Sequence, residues 1–196
     1  MSILSEILDF NSGFVKRKEY EPFRTDGFPD KKLVVITCMD TRLVELLPRA
    51  MNIRNGDAKV IKNAGAIVTH PFGSVMRSLI VAIYELGATE VAVVGHYGCG
   101  MTNMSCDRVL QKAIVRGVSN SLLQTLQHAG IDLQSWLRGF KSPEEGVRQS
   151  VEIIRQHPLL PQDVPVHGLM IDPETGRLDL LSDGYAAIGT SPAKLG

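Results

Sequence analysis

The sequence predicts a single α/β domain built on a mainly parallel β-sheet, with about four parallel strands, an edge strand and flanking helices. Two unbroken apolar runs, 33–36 and 91–94, are typical of strands buried on both faces. Stretches with apolar residues at helical spacing alternate with these strands, which is the pattern of a parallel sheet covered by helices. The length of 196 residues fits one such domain.

The first half of the chain supplies two strands and two helices in this prediction. We expect a short amphipathic helix at 2–10, an extended connector at 16–30 and a strand at 33–38. A helix at 41–51, a turn at 55–57 and a second strand at 58–62 follow. Pro48 removes one backbone donor from the second helix, which predicts a kink or an early end there.

The second half supplies the remaining strands and most of the helices. Pro71 suits the first turn of the next helix, and Gly87 is a natural stop for it. We then expect a strand at 91–95 and three helices at 102–117, 119–129 and 143–156. Two strands at 165–171 and 177–181 complete the prediction. The chain thus divides into an N-terminal helix and extended arm at 1–30, the α/β domain at 31–185 and a C-terminal tail at 186–196.

Composition and charge narrow the function classes. The formal net charge is zero, which weighs against nucleic acid or an anionic membrane as the main partner. No apolar run approaches the roughly 20 residues of a membrane span, and the N-terminus lacks a secretory pattern. We therefore expect a cytoplasmic protein with a small-molecule substrate.

The three cysteines favour metal or catalytic use over disulfide bonding. Their number is odd, and Cys38 lies far along the chain from Cys99 and Cys106. Cys106 falls on a predicted helix, where a buried thiol is the ordinary interpretation.

Two short motifs follow predicted strands. Cys38 ends the first strand, and His96 and Cys99 follow the third. Each motif alone is typical of a core residue or a turn, but two thiolates and an imidazole together are good zinc ligands, and three protein ligands leave a fourth position open. If both motifs serve one site, the first and third strands must be neighbours where the strand order reverses.

Asp40 and Arg42 stand next to this metal motif. Asp40 is placed to accept a hydrogen bond from metal-bound water, and Arg42 can grip its carboxylate with two hydrogen bonds and keep it ionised. Alternatively, Asp40 caps a helix that starts near Thr41 and Arg42 is a solvated partner.

These residues resemble the signature of the β-class carbonic anhydrases. Cys38-Met39-Asp40-Thr41-Arg42 is similar to the Cys-x-Asp-Ser-Arg motif of that family, with Thr41 in place of Ser, and His96-Tyr97-Gly98-Cys99 is similar to its His-x-x-Cys motif. Asn63-Ala64-Gly65 resembles the segment after its second strand, and 166–172 and 175–178 resemble its closing strands. The length suggests the small prokaryotic subclass.

The resemblance implies a zinc enzyme that reversibly hydrates carbon dioxide to bicarbonate and a proton. One Zn2+ per chain is held by Cys38, His96 and Cys99, and Asp40 orients the attacking water while Arg42 holds Asp40. Some members have a closed state in which the Asp is a fourth zinc ligand, and both states stay open for Asp40.

The resemblance also implies a homodimer or homotetramer in which the 1–30 arm lies on a partner. We expect an apolar substrate pocket near the metal, lined by Ile67, Val68, Phe72 and Gly100, with the first three contributed either by the same chain or by a second copy of it. The proton route is not assigned to His70 or to His167.

Two alternatives remain open at this point. Relatives in the family hydrolyse carbon disulfide or carbonyl sulfide by the same attack. A non-catalytic zinc-binding protein is the other alternative, although the presence of both Asp40 and Arg42 argues against it.

Overall fold

The computed structural model describes residues 2–188. These residues form one five-stranded sheet with helices on both faces. The strands are β1 (Leu33–Cys38), β2 (Ala58–Asn63), β3 (Glu90–His96), β4 (Val166–Ile171) and β5 (Leu178–Ser182). The helices are α1 (Ile3–Lys16), α2 (Leu43–Ala50), α3 (Ser74–Tyr84), α4 (Cys106–Val115), α5 (Asn120–His128), α6 (Leu133–Trp136), α7 (Pro143–Arg155) and α8 (Gly184–Ile188).

The strand order is β2-β1-β3-β4-β5. Strands β1 to β4 are parallel to one another, and β5 pairs antiparallel with β4 at the edge. This arrangement confirms the predicted mainly parallel sheet of four strands plus an edge strand. The order reverses at the β1–β3 pair, so the carboxyl ends of these two strands define the switch point at which ligands bind in such sheets.

The two central strands are buried on both faces, as their unbroken apolar runs predict. On one face, Ile36 and Val93 belong to a cluster that includes residues of α3 and α7. On the other face, Val35 and Val94 pack with residues of α2. A Cβ at Gly95 would lie 2.6 Å from a Val147 methyl, so a glycine is needed there for α7 to approach β3 closely.

The first helix is longer than expected and packs against little. The prediction ended it near residue 10, but α1 continues to Lys16, because no proline interrupts the segment and a lone Gly13 is tolerated inside a helix. Ser2 caps its start by accepting from the Ser5 amide. No residue of α1 is buried within the described part of the chain.

The start of α3 corrects the prediction made from Pro71. The helix begins at Ser74, with Gly73 as its N-cap residue, and ends at Tyr84. A separate turn precedes it, in which the Gly73 amide donates to the His70 carbonyl and the Phe72 amide donates to His70 Nδ1. These local bonds hold Pro71 in the turn.

Two further helices differ from the prediction. The expected helix at 102–117 begins only at Cys106, where Ser105 supplies the capping hydroxyl. The four-residue helix α6 was not predicted at all, since a single turn has no readable periodicity.

The C-terminal boundary falls within a helix. Helix α8 runs across the expected boundary between residues 185 and 186, and the rest of the expected tail, 189–196, lies outside the described residues. Among the helices of residues 2–188, none combines the length and the apolarity that a membrane crossing requires.

Candidate metal centre

The structure brings Cys38, His96 and Cys99 together at the switch point. Cys38 is the last residue of β1 and His96 the last of β3, and the two strands are hydrogen-bonded neighbours. Gly98 adopts a φ of +64°, which lets the chain turn after β3 and carry Cys99 back towards the other two residues. One potential ligand atom from each of the three residues lies within 4.8 Å of the others, and all three side chains are buried.

This geometry fits a four-coordinate zinc ion. The two sulfur atoms are 3.9 Å apart, and Zn–S bonds of about 2.3 Å in a tetrahedron require a separation of about 3.8 Å. His96 Nδ1 lies 2.9 Å from the Tyr97 carbonyl oxygen, so Nδ1 carries the proton and Nε2 keeps a free lone pair. His96 Nε2 is buried and has no hydrogen-bond partner among residues 2–188, which is the state expected of a ligand atom facing a metal.

The two thiols differ in acidity, and only Cys38 loses its proton readily. A hydrogen bond from Cys99 lowers the pKa of Cys38 to about 4 against the opposing effect of burial, with further help from His96 and the backbone amide of Gly65. The neighbouring Cys38 sulfur and burial raise the pKa of Cys99. Without a metal the pair therefore holds one proton between its two sulfur atoms. A cation at this point would stabilise both thiolates.

Asp40 and Arg42 form a bidentate ion pair beside the three residues. Arg42 Nε donates to Asp40 Oδ1 and Arg42 Nη2 to Asp40 Oδ2, both at 2.9 Å. This grip holds the pKa of Asp40 down at about 2. Asp40 Oδ2 lies 3.7 Å from His96 Nε2, so the carboxylate borders the position that a fourth ligand would take.

Asp40 is not the N-cap residue of α2, although its side chain accepts from a backbone amide just before that helix. Helix α2 begins at Leu43, and its N-cap residue is Arg42, which makes no side-chain cap bond. Asp40 Oδ1 instead accepts from the Arg42 backbone amide at 2.9 Å. This local bond fixes the carboxylate relative to β1. Asp40 is also not a member of the group of mutually close ligand atoms, and Arg42 is engaged rather than released.

The four residues expected to line the substrate pocket fall in different places. Ile67 and Val68 border a cavity of about 200 Å³ together with Phe140, which packs in the same cluster as Cys38 and Cys99. Gly100 is exposed on the loop that follows Cys99.

Phe72 lies at a second cavity within the same subunit. Its ring centroid is 5.1 Å from that of His157, and the residue is 69% exposed. That cavity, lined also by Met76 and Ile80, does not include Ile67 or Val68.

Two supporting contacts were missed by the sequence analysis. The Gly65 amide donates to Cys38 Sγ at 3.4 Å, and the Tyr97 hydroxyl donates to Asp179 Oδ2 at 3.0 Å. The sequence analysis noted the Asn63-Ala64-Gly65 segment, but the motif alone did not reveal that its glycine amide contacts Cys38. The second joins residues 82 positions apart and has no local sequence signal.

Comparison with known proteins gives consistent results. The sequence profile of the family described as "Carbonic anhydrase" matches residues 33–178. The Bacillus subtilis (strain 168) protein named "Putative carbonic anhydrase YvdA" is 60% identical over 185 residues, which cover 94% of each chain. The Acidianus sp. (strain A1-3) protein named "Carbon disulfide hydrolase" is 32% identical over 189 residues, covering 90% of this chain and 89% of that protein.

A solved structure extends the agreement to three dimensions. The β-carbonic anhydrase isoform I of the protozoan Trichomonas vaginalis superposes with a TM-score of 0.87 at 34% identity, covering 94% of this chain and 100% of that chain. The family match starts at the first residue of β1 and includes Cys38, His96 and Cys99. Because this match spans most of the sequence and the fold agrees as well, the chain belongs to the β-carbonic anhydrase family.

Proposed function

We propose that this protein catalyses the zinc-dependent reversible hydration of carbon dioxide to bicarbonate and a proton. One observation carries the proposal: an ionised carboxylate, held by an arginine, borders a buried group of two thiols and an imidazole with the spacing of a zinc site. A bound zinc ion supplies a water molecule acidified enough to act as a nucleophile near neutral pH. The residues of the chain then determine how that water is held.

Asp40 is the residue that orients the nucleophile. With its pKa at about 2, its carboxylate is ionised throughout the neutral range and accepts hydrogen bonds only. Arg42 fixes its plane through the bidentate contact, and the Arg42 amide fixes Oδ1 a second time. A carboxylate held in this way aims the remaining lone pair of the water towards the substrate carbon and costs little reorganisation in the transition state.

A second candidate activity is hydrolysis of carbon disulfide or carbonyl sulfide at the same site. The "Carbon disulfide hydrolase" relative from Acidianus supports this candidate. Both reactions place a linear, uncharged molecule beside the same nucleophile, so access to the pocket decides between them. The further alternative of a non-catalytic zinc protein leaves the Asp40–Arg42 ion pair without a role.

We also propose that the protein works as a homodimer or homotetramer. The support comes from α1, whose apolar residues Ile3, Leu4, Ile7 and Leu8 are each at least 58% exposed. An isolated helix of this length is marginally stable in water and needs a packing partner. A second copy of the chain supplies one. The free thiols of Cys38 and Cys99 suit the reducing cytoplasm, which we propose as the location.

Stopped-flow hydration of carbon dioxide, from about pH 6.5 to 9, on protein with zinc counted per chain tests the proposal. We expect rapid turnover that depends on zinc and rises with pH. Full zinc with turnover of carbon disulfide or carbonyl sulfide instead of carbon dioxide would favour the second candidate. Full zinc with no turnover of any of the three would support the non-catalytic alternative.

A further inference from the structure

Segment 63–67 contacts one sulfur atom of the metal centre through a backbone amide. Asn63 is the last residue of β2, and in the sheet it is paired with Cys38. Its carbonyl accepts from the Met39 amide at 2.8 Å, which extends the pairing beyond the end of β1. The segment therefore begins next to a metal-ligand candidate and is tied to it through the main chain.

The backbone of this segment adopts an unusual conformation. Gly65 has a φ of +87° and Ala66 a φ of +58°, and the second value is disfavoured for a residue with a Cβ atom. A side chain at Gly65 would meet the Phe140 ring at 2.8 Å. The strained conformation persists only because other contacts impose it.

The Asn63 side chain supplies those contacts. Its Nδ2 donates to the Ile67 carbonyl at 2.7 Å, and its Oδ1 accepts from the Ile67 amide at 3.1 Å. The two bonds close a ring across the segment. Beyond the ring, the Val68 amide donates to the buried hydroxyl of Ser150 at 3.0 Å. Within the ring, the Gly65 amide is aimed at Cys38 Sγ at 3.4 Å.

We infer that Asn63 is a positioning residue for the metal centre, acting through the Gly65 amide on the Cys38 sulfur. The inference rests on the metal site of the proposed function. An N–H donor withdraws electron density from a thiolate, and hydrogen bonds of this kind tune metals bound by sulfur. A site with two thiolates neutralises the charge of a divalent ion, so such a donor makes the metal a stronger Lewis acid than the ligands alone allow. Asn63 sets whether the donor is present.

Cobalt(II) in place of zinc gives a test that needs no substrate, because thiolate-to-cobalt charge transfer is visible in the absorption spectrum. Asn63→Ala removes both bonds to Ile67 and frees the Gly65 amide from Cys38. We expect the charge-transfer band to move to lower energy, because the sulfur regains electron density. The metal affinity should fall roughly 10- to 100-fold, because the Cys38 sulfur loses a contact that holds it in place. A role confined to folding would lower the free energy of unfolding and leave the band in place.

Asn55→Ala is the matched control. Asn55 Nδ2 also donates to a backbone carbonyl, that of Phe23, at 2.7 Å, but it lies before the start of β2 at the opposite edge of the sheet. We expect this variant to keep the band and the affinity of the unaltered protein. Asn63→Asp keeps the Oδ1 acceptor and the side-chain volume, so it provides the same test if Asn63→Ala does not fold. Its band should move in the same direction by a smaller amount.

The outcomes separate this inference from the proposed function. A folded Asn63 variant with an unchanged band and unchanged affinity would overturn the role of Asn63. The absence of any thiolate-to-cobalt band in the unaltered protein would overturn it as well. A shifted band in Asn63→Ala, together with no carbon dioxide hydration by the unaltered protein, would support the role of Asn63 and contradict only the proposed function.

Discussion

Two buried histidines lie on neighbouring parallel strands at opposite edges of the sheet. His96 ends β3 at the carboxyl edge, and His167 stands near the start of β4 at the amino edge. In both residues Nε2 is buried and makes no hydrogen bond within the part of the chain that the structure describes. From these facts alone, either histidine could be a metal ligand.

The second ring nitrogen separates the two. His96 Nδ1 donates to the Tyr97 carbonyl, so its Nε2 carries a lone pair towards the two cysteines. His167 Nδ1 accepts from the Gly184 amide at 3.0 Å, so in the neutral ring its Nε2 carries the proton. That Nε2 lies 3.1 Å from Glu90 Oε1, without the alignment of a hydrogen bond. The hydrogen bond at Nδ1 therefore decides which histidine is available to a metal.

Removing each ring should give the sharpest contrast. We expect His96→Ala to lose tightly held zinc and to reduce carbon dioxide hydration to the uncatalysed background, because two thiols alone do not complete the site. His167→Ala should keep about one zinc per chain. Metal analysis after dialysis and stopped-flow hydration measure both effects. Full zinc retention by folded His96→Ala would contradict the ligand assignment.

The next largest effect concerns the carboxylate beside His96. Asp40→Asn should keep zinc but reduce the hydration rate by roughly 100- to 1000-fold, because an amide cannot replace the charged acceptor. Asp172→Asn is the matched control, since Asp172 Oδ1 accepts from the Glu174 amide at 2.9 Å as Asp40 Oδ1 accepts from the Arg42 amide. A fully active, zinc-loaded Asp40→Asn protein would show that the carboxylate does not orient the nucleophile.

The histidine at the amino edge should matter for stability. His167→Ala leaves the Gly184 amide without its acceptor and removes the ring that packs on Tyr185 at a centroid distance of 4.8 Å. We expect the free energy of unfolding to fall by about 1 to 3 kcal/mol, with the hydration rate per zinc unchanged. Chemical denaturation measures the first quantity. A large loss of activity per zinc would mean that the two edges are coupled.

The smallest expected effect is the dependence of stability on acid. The Arg42 contact lowers the pKa of Asp40 from its ordinary 3.8 to about 2, so the folded state favours the ionised carboxylate. The resulting stabilisation is complete above pH 3.8 and is lost as the pH falls through about 2. In chelator-treated protein, the difference in unfolding free energy between the unaltered chain and Asp40→Asn should shrink over this interval. If this difference in unfolding free energy stays constant with pH, the stabilisation by Asp40 does not come from its lowered pKa.

The sheet could be predicted from the sequence because its signals are local. The apolar runs marked β1 and β3, and the rule that ligands gather where the strand order reverses placed Cys38 and His96 at one edge. The expectation that these two strands are neighbours in the sheet is confirmed. A helix start predicted from a single residue was less reliable. Pro71 belongs to a turn that the His70 ring and carbonyl stabilise, and α3 starts three residues later.

The contacts around the site could not be predicted, because they join distant or non-periodic positions. The tautomers of His96 and His167 depend on carbonyl and amide groups that the sequence does not distinguish. The hydrogen-bonded ring between Asn63 and Ile67 depends on a positive φ at Ala66, which no residue preference suggests. The roles of Cys38, His96, Cys99, Asp40 and Arg42 stay predictions that the experiments above test.

The pairing of β1 with β3 has a kinetic consequence. Cys38 and Cys99 are 61 residues apart, and His96 reaches Cys38 only when the two strands are adjacent, so we expect the proposed ligand set to form late during folding. A metal held by this set binds the finished sheet rather than its precursors. Its stabilisation should therefore appear mainly as slower unfolding, with little change in the rate of folding.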